Sequence, residues 1–150
     1  MTDDTMKMTT STPWHLWAVG VVSLLWNGFG AYLYLMTRMQ GAEFLSSMGA
    51  TQASIDWQAS MPAWMNALWA IGVWGGVLGA VLLLTRMKWA MHAFLASLLA
   101  VLVSFVASLT MFDGMEIYTT PELIQTAVVT FLAIGFLLYS RSMAKRGVLR

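Results

Sequence analysis

The chain has 150 residues, of which 59% are hydrophobic and only 10% are charged, with eight Lys and Arg against seven Asp and Glu. An average soluble domain is about 25% charged, so this composition excludes an ordinary soluble protein. A net charge of +1 offers no basic surface to DNA or RNA, and we expect no nucleic acid partner. The absence of cysteine excludes disulfides, thiolate metal sites and cysteine nucleophiles.

Every charged residue lies outside four apolar segments, which cover residues 14–36, 63–84, 89–111 and 123–140. Because about 20 apolar helical residues span the hydrocarbon of a bilayer, the pattern predicts an all-α membrane protein with four transmembrane helices. Residues 1–150 then form a single membrane domain, with an outer loop at 37–62 that contains short interfacial helices. The first segment lacks a cleavage site and is interpreted as an uncleaved anchor, with Met1, Met6 and Met8 as alternative starts.

The basic residues predict the orientation of the bundle. With a cytoplasmic N-terminus, seven of the eight Lys and Arg lie inside, and only Arg38 lies outside. The inside set is Lys7, Arg86, Lys88, Arg141, Lys145, Arg146 and Arg150. Positive charges in short loops favour the cytoplasmic side, so we expect both termini in the cytoplasm.

Helix 1 contains Asn27, the most polar residue at membrane depth, next to Trp26. Trp74 lies at a matching depth on helix 2. An amide and two indole donors around a glycine-lined gap could hold a small neutral solute at the midplane, where many transporters bind substrate. The alternative is a hydrogen bond between helices, worth about 0.6 to 2 kcal/mol, that fixes packing.

Helices 2 and 3 both carry stripes of small residues. Helix 2 has the overlapping pairs Gly72 with Gly76 and Gly75 with Gly79, which expose bare backbone along one face. Helix 3 has a matching stripe that includes Ser97, Ala100 and Ser104. A turn of four residues at 85–88 makes these helices antiparallel neighbours. Their small faces either meet within one subunit, or one of them packs against a second subunit.

The sequence offers few groups for catalysis or cofactor binding. His15 and His92 both lie near the inner membrane boundary. Facing histidines on two membrane helices can hold haem, so a haem site is one alternative, although the weaker one. An interfacial histidine beside tryptophan needs no ligand, so we expect no metal and no cofactor. Because no nucleophile–base set or nucleotide-binding motif is present, we expect no enzymatic activity.

Helix 4 has a clear start, with Thr119 or Thr120 as the cap, Pro121 in the first turn and Glu122 at the positive end of the helix dipole. Glu122, together with Asp113 and Glu116, is interpreted as a solvated loop charge. A weak cation site is the alternative.

Several stretches together resemble a family. They are LLWNGFGAYLYLMT, SMPAW with ALWAIGVWGGVLGAVLLLTRMKWA, and LLYSRSMAKRGVLR. Over nearly its whole length the chain resembles uncharacterised small four-helix bacterial inner-membrane proteins, some of which are labelled sugar transporters. The resemblance implies a bacterial inner membrane and gives support to transport. Members often have an acidic residue shortly after the Trp-Asn pair, where this chain has Gly30, Ala31 and Tyr32.

Two functional classes follow from these patterns. The first is an accessory or packing subunit of a membrane complex or a homo-oligomer, whose partners are the lipid bilayer and other membrane subunits or copies of itself. It would use the small-residue faces of helices 2 and 3 as contact surfaces. The alternative is a transporter or channel for a small neutral, sugar-like solute. The lack of any costly buried charge favours the accessory class.

Overall fold

The computed structural model describes residues 10–150, which fold into seven helices without a strand. In chain order these are α1 (Trp14–Gln40), α2 (Ala42–Ser47), α3 (Gln52–Ser60), α4 (Ala63–Leu84), α5 (Trp89–Met111), α6 (Gly114–Ile117) and α7 (Thr120–Lys145). The long helices α1, α4, α5 and α7 are all apolar enough to cross a membrane. The predicted all-α membrane fold with four transmembrane helices is confirmed.

Two of the membrane helices extend beyond their apolar segments. Helix α1 continues to Gln40, and α7 runs from Thr120 to Lys145. The predicted ranges stop at Met36 and Ser140 because the apolar run ends there. Hydropathy marks where a helix leaves the hydrocarbon, whereas the helical hydrogen bonds continue until a cap or a glycine ends them.

The four long helices alternate in direction and pack in the order α1, α4, α5, α7. Residue 10, the α4–α5 turn and residue 150 lie at one end of the bundle, which we call the terminal end. Helices α2, α3 and α6 lie at the other, the loop end. In the described part of the chain, the terminal end carries all the basic residues except Arg38, and the loop end carries all the acidic ones. Lys7 lies outside the described residues.

The small faces of α4 and α5 meet inside the subunit. A Cβ placed on Gly75 would lie 3.3 Å from the Cβ of Ser97, and one on Gly72 would lie 3.9 Å from the Cβ of Ala100. The Ser97 hydroxyl donates a hydrogen bond across the interface to the carbonyl oxygen of Gly72. This close approach of two backbones is what glycine permits in a membrane helix. The alternative left open by the sequence is thereby decided in favour of contact within the chain.

The terminal end is closed by a hydrophobic cluster that includes the last residues of the sequence. After α7, Gly147 takes a positive φ of 70° and turns the chain back on the bundle. The amide of Val148 donates to the Met143 carbonyl at 3.0 Å, and that of Gly147 donates to Ala144 at 3.1 Å, the two bonds of a Schellman motif. Val148 and Leu149 are consequently buried, at 3% and 1% exposure.

The loop end is covered by α3 and by the segment around α6. Thr51 caps α3 by accepting a hydrogen bond from the Ser54 amide at 3.1 Å. The indole of Trp57 donates to the Phe112 carbonyl at 2.6 Å, which fixes α3 over the end of α5. Gly114 packs so tightly that an added Cβ would lie 2.7 Å from the Ser108 carbonyl oxygen. These contacts hold a roof over the space between the long helices.

Candidate functional site

A cavity of about 410 Å³ lies between the four long helices and reaches from the loop end past the middle of the bundle. It is open on the side of α1, where the lining residue Phe29 is 55% exposed. Every long helix contributes to its wall, and Trp57 and Gln58 of α3 and Tyr118 reach into it from the roof. Binding pockets for small molecules typically measure about 300 to 1,000 Å³, so this cavity is large enough for a small organic ligand.

The cavity wall is mostly apolar with several polar groups on α4, α5 and α7. These are Asn66, Ser97, Ser104, Ser108, Glu122, Gln125 and Thr126. The Ser104 hydroxyl oxygen is buried and has no hydrogen-bond partner among the described residues. A buried polar atom without a partner costs about 1 to 3 kcal/mol, which makes Ser104 an unusual residue in this wall.

The three residues of the predicted midplane site are not brought together. Trp26 and Asn27 line the cavity, but Trp74 does not, and 44% of its surface is exposed on the outside of the bundle. Helix α4 already presents Gly72 and Gly76 to its neighbours, which places Trp74 on a different face.

Asn27 is used mainly for packing. Its amide nitrogen donates to the carbonyl oxygen of Ser23, one turn earlier in α1, at 2.8 Å. Its carboxamide oxygen lies directly over Gly76, where a Cβ would overlap it. The predicted hydrogen bond to another helix is therefore replaced by a bond within α1 and a close contact with bare backbone on α4.

The two histidines take separate roles. His15 on α1 forms a hydrogen bond through Nδ1 with the Tyr139 hydroxyl on α7, which joins these helices at the terminal end. His92 is exposed on α5 and packs against Trp89, with 5.2 Å between ring centroids. Among the residues described, no group of three or more His, Cys, Asp or Glu is arranged to hold a metal ion.

Glu122 lies at the entrance of the cavity. Its Oε2 atom accepts hydrogen bonds from the backbone amide of Thr119 at 2.7 Å and from the Thr119 hydroxyl at 2.8 Å, which caps the start of α7. A smaller crevice of about 160 Å³ lies next to the cavity beneath α2 and α3. The crevice and the cavity adjoin, because both are lined by Trp57, Gln58, Tyr118 and Glu122.

The opposite end of the cavity is closed. Its floor includes Phe94 and Phe136, which are 2% and 7% exposed with ring centroids 5.7 Å apart. Both rings belong to the hydrophobic cluster that fills the terminal end. The space is therefore a pocket with one closed end, and a continuous pore through the bundle is absent from the described structure.

Among the polar residues at the cavity entrance, sequence patterns indicated only Glu122, as part of the alternative weak cation site with Asp113 and Glu116. Gln58, Asn66, Gln125 and Glu122 lie in or near the ends of apolar segments, where polar residues are expected for solvation alone. One usable signal is the spacing of Glu122, Gln125 and Thr126. Residues three and four apart share a helix face, so this set places three polar side chains on one side of α7.

Comparisons with protein family models, with curated proteins and with solved structures found no match for this chain. The residues that line the cavity are therefore the basis for any functional assignment.

Proposed function

We propose that this integral membrane protein binds a small organic solute in the cavity between its four helices, as the binding site of a carrier. The observation that carries the proposal is the cavity of about 410 Å³, with a buried and unpartnered Ser104 hydroxyl in its wall.

The geometry favours a carrier over an open channel. The Phe94 and Phe136 floor and the hydrophobic cluster beneath it separate the cavity from the terminal end. A solute would enter from the loop end past Trp57 and Glu122, or from the side beside the exposed lining residue Phe29. Release on the other side would require the helices to separate at the terminal end, as in alternating access around a central site.

The role of an accessory subunit receives less support. The small-residue faces of α4 and α5, which would have served as contact surfaces, are occupied by one another. The remaining outward surface is apolar, as a surface in contact with lipid must be.

Gly30 and Gly28 provide a matched test of the cavity. Both lie on α1, and a Cβ at either position would meet no atom within 4 Å, but only Gly30 lines the cavity. We expect Gly30→Leu to weaken binding of the neutral probe para-fluorobenzyl alcohol several-fold, because the new side chain occupies the space, whereas Gly28→Leu should leave binding unchanged. Fluorine NMR on the protein in nanodiscs, with empty nanodiscs as background, measures the difference.

If wild-type protein shows no binding above the empty nanodiscs, or if both glycine variants bind as wild type does, the cavity is not a binding site. An equal loss of affinity in both variants would also contradict the proposal, because the loss would then come from a general change in helix α1.

We further propose that the protein lies in the bacterial inner membrane with both termini in the cytoplasm, so that the cavity entrance faces outward. This orientation is supported by the six basic residues at the terminal end, because positive charges favour the cytoplasmic side. They are Arg86, Lys88, Arg141, Lys145, Arg146 and Arg150.

The orientation can be tested by cysteine labelling, because the chain has no cysteine of its own. Met115 at the loop end is 71% exposed, and Met87 at the terminal end is 42% exposed. In intact cells, a membrane-impermeant maleimide should label Met115→Cys and should label Met87→Cys only after permeabilisation. The reverse pattern would place the termini outside. Neither substitution alters the charge distribution that sets the topology.

A further inference from the structure

We infer that the cavity binds an organic cation, whose charged group lies between Glu122 and a cluster of aromatic rings while its apolar part extends towards Phe94 and Phe136. This inference rests on the proposed function and specifies its ligand. It departs from the neutral, sugar-like solute of the transporter alternative in the sequence analysis.

The charge of the cavity supports a cationic ligand. Glu122 is the only charged residue among those that line the cavity in the described structure, and no Lys, Arg or His is among them. Both hydrogen bonds from Thr119 end on Oε2, which leaves Oε1 available to a ligand. A carboxylate with no cation among the other lining residues attracts a positive ligand and repels an anion.

Three aromatic rings lie at the same end of the cavity as Glu122. Trp57 and Tyr118 meet edge to face with 5.4 Å between ring centroids, and Phe105 stacks on Tyr118 at 6.2 Å. All three residues line the cavity. Aromatic faces bind alkylated ammonium groups by cation–π attraction, worth about 0.5 to 2 kcal/mol for each contact, and an acidic residue beside them adds charge complementarity.

The apolar floor accounts for the other part of the ligand. The distance along α7 from Glu122 to Phe136 corresponds to about 20 Å at about 1.5 Å per residue, so polar and apolar lining residues are well separated. A ligand that combines a substituted ammonium group with a hydrocarbon or aromatic body matches both ends. A sugar, which carries hydroxyl groups over its whole surface, would leave most of them unpaired against the apolar wall.

The test compares two probes that share one ring and differ in their head group. These are para-fluorobenzyl-trimethylammonium and para-fluorobenzyl alcohol, each titrated by fluorine NMR into the protein in nanodiscs of zwitterionic lipid. Wild type should bind the ammonium probe at least tenfold more tightly than the alcohol. Glu122→Gln should remove most of this preference and leave the affinity for the alcohol within about twofold, because only the charge is lost.

The chain provides both a structural rationale and a control for this substitution. Glutamine is accepted at the third position of a capping box, so Glu122→Gln keeps an acceptor for the Thr119 amide and should preserve the start of α7. Glu116 is exposed on α6 and lines neither cavity nor crevice. Glu116→Gln, which removes the same charge from the same end of the bundle, should bind both probes as wild type does.

Phe105→Leu is a second variant that leaves the cap untouched. It removes one ring of the aromatic cluster. The affinity for the ammonium probe should therefore fall at least threefold relative to the affinity for the alcohol. An ammonium affinity that is the same in Glu122→Gln, Phe105→Leu and wild type would overturn the inference, and so would a wild type that prefers the alcohol. The Gly30→Leu experiment with the alcohol probe judges the proposed function separately, so the two failures can be distinguished.

Discussion

Replacing Gly76 by alanine is expected to destabilise the bundle by about 2 kcal/mol, although alanine is the better helix former. A Cβ at this position would overlap the carboxamide of Asn27, which α1 holds in place through its bond to Ser23. The clash is with a half-buried side chain. Its relief requires either a new Asn27 rotamer, which breaks the bond to Ser23, or a separation of α1 and α4. Unfolding titrations with SDS from mild detergent measure the free energy of unfolding.

Gly135 on α7 is the matched control, because a Cβ there would meet no atom within 4 Å. Gly135→Ala should leave stability unchanged or raise it slightly through helix propensity. If the proposed contact is correct, Asn27→Ala should also restore most of the stability lost in Gly76→Ala, since the group that clashes has been removed. Equal effects of the two glycine substitutions, or no rescue by Asn27→Ala, would show that the Asn27–Gly76 contact is not what limits this interface.

Replacing Leu149 by alanine is the second substitution with a large expected effect, a loss of about 2 to 5 kcal/mol in the free energy of unfolding. Leu149 is 1% exposed and packs into the cluster that closes the terminal end. The segment that carries it is fixed by backbone bonds to the α4–α5 turn. The Arg150 amide donates to the Arg86 carbonyl at 2.7 Å, and the Lys88 amide donates to the Arg150 carbonyl at 2.8 Å.

Arg150→Ala is the control for the Leu149 experiment. The side chain of Arg150 is exposed, whereas its contacts with the turn are made by the backbone, which alanine preserves. The Arg150→Ala variant should therefore have the same midpoint of thermal unfolding in detergent as wild type. A Leu149→Ala variant as stable as Arg150→Ala would mean that the segment after Gly147 does not contribute to the terminal-end core.

The positions of the membrane helices were predictable because lipid imposes a strong and simple constraint. Charged side chains are costly in hydrocarbon, so their absence from four segments of about the right length indicates the spans directly. The start of α7 was equally local, because Pro121 and Glu122 act within the first turn of their own helix. The extension of α7 to Lys145 was missed, although Lys145, Arg146 and Gly147 form a recognisable helix end.

The site was less predictable because its residues come from every long helix and two roof segments. Asn27 and Trp74 have matching depths in the sequence, but depth does not determine which face of a helix turns inward. Glu122 and Trp57 are far apart in the sequence and appear as ordinary loop and boundary residues. They share a cavity only because α3 is bonded to the end of α5 through Trp57 and Phe112.

The sequence by itself determined the all-α class, the four apolar spans, the separation of charges between the two ends, and the small faces of α4 and α5. These properties depend on composition and on periodicity within one helix, which short-range chemistry controls. The tertiary structure decided that the small faces pack against each other, that Asn27 lies on Gly76, and that Glu122 and three aromatic rings meet at one cavity. Such contacts depend on the rotation and spacing of helices relative to one another, which emerge only when all side chains are packed together.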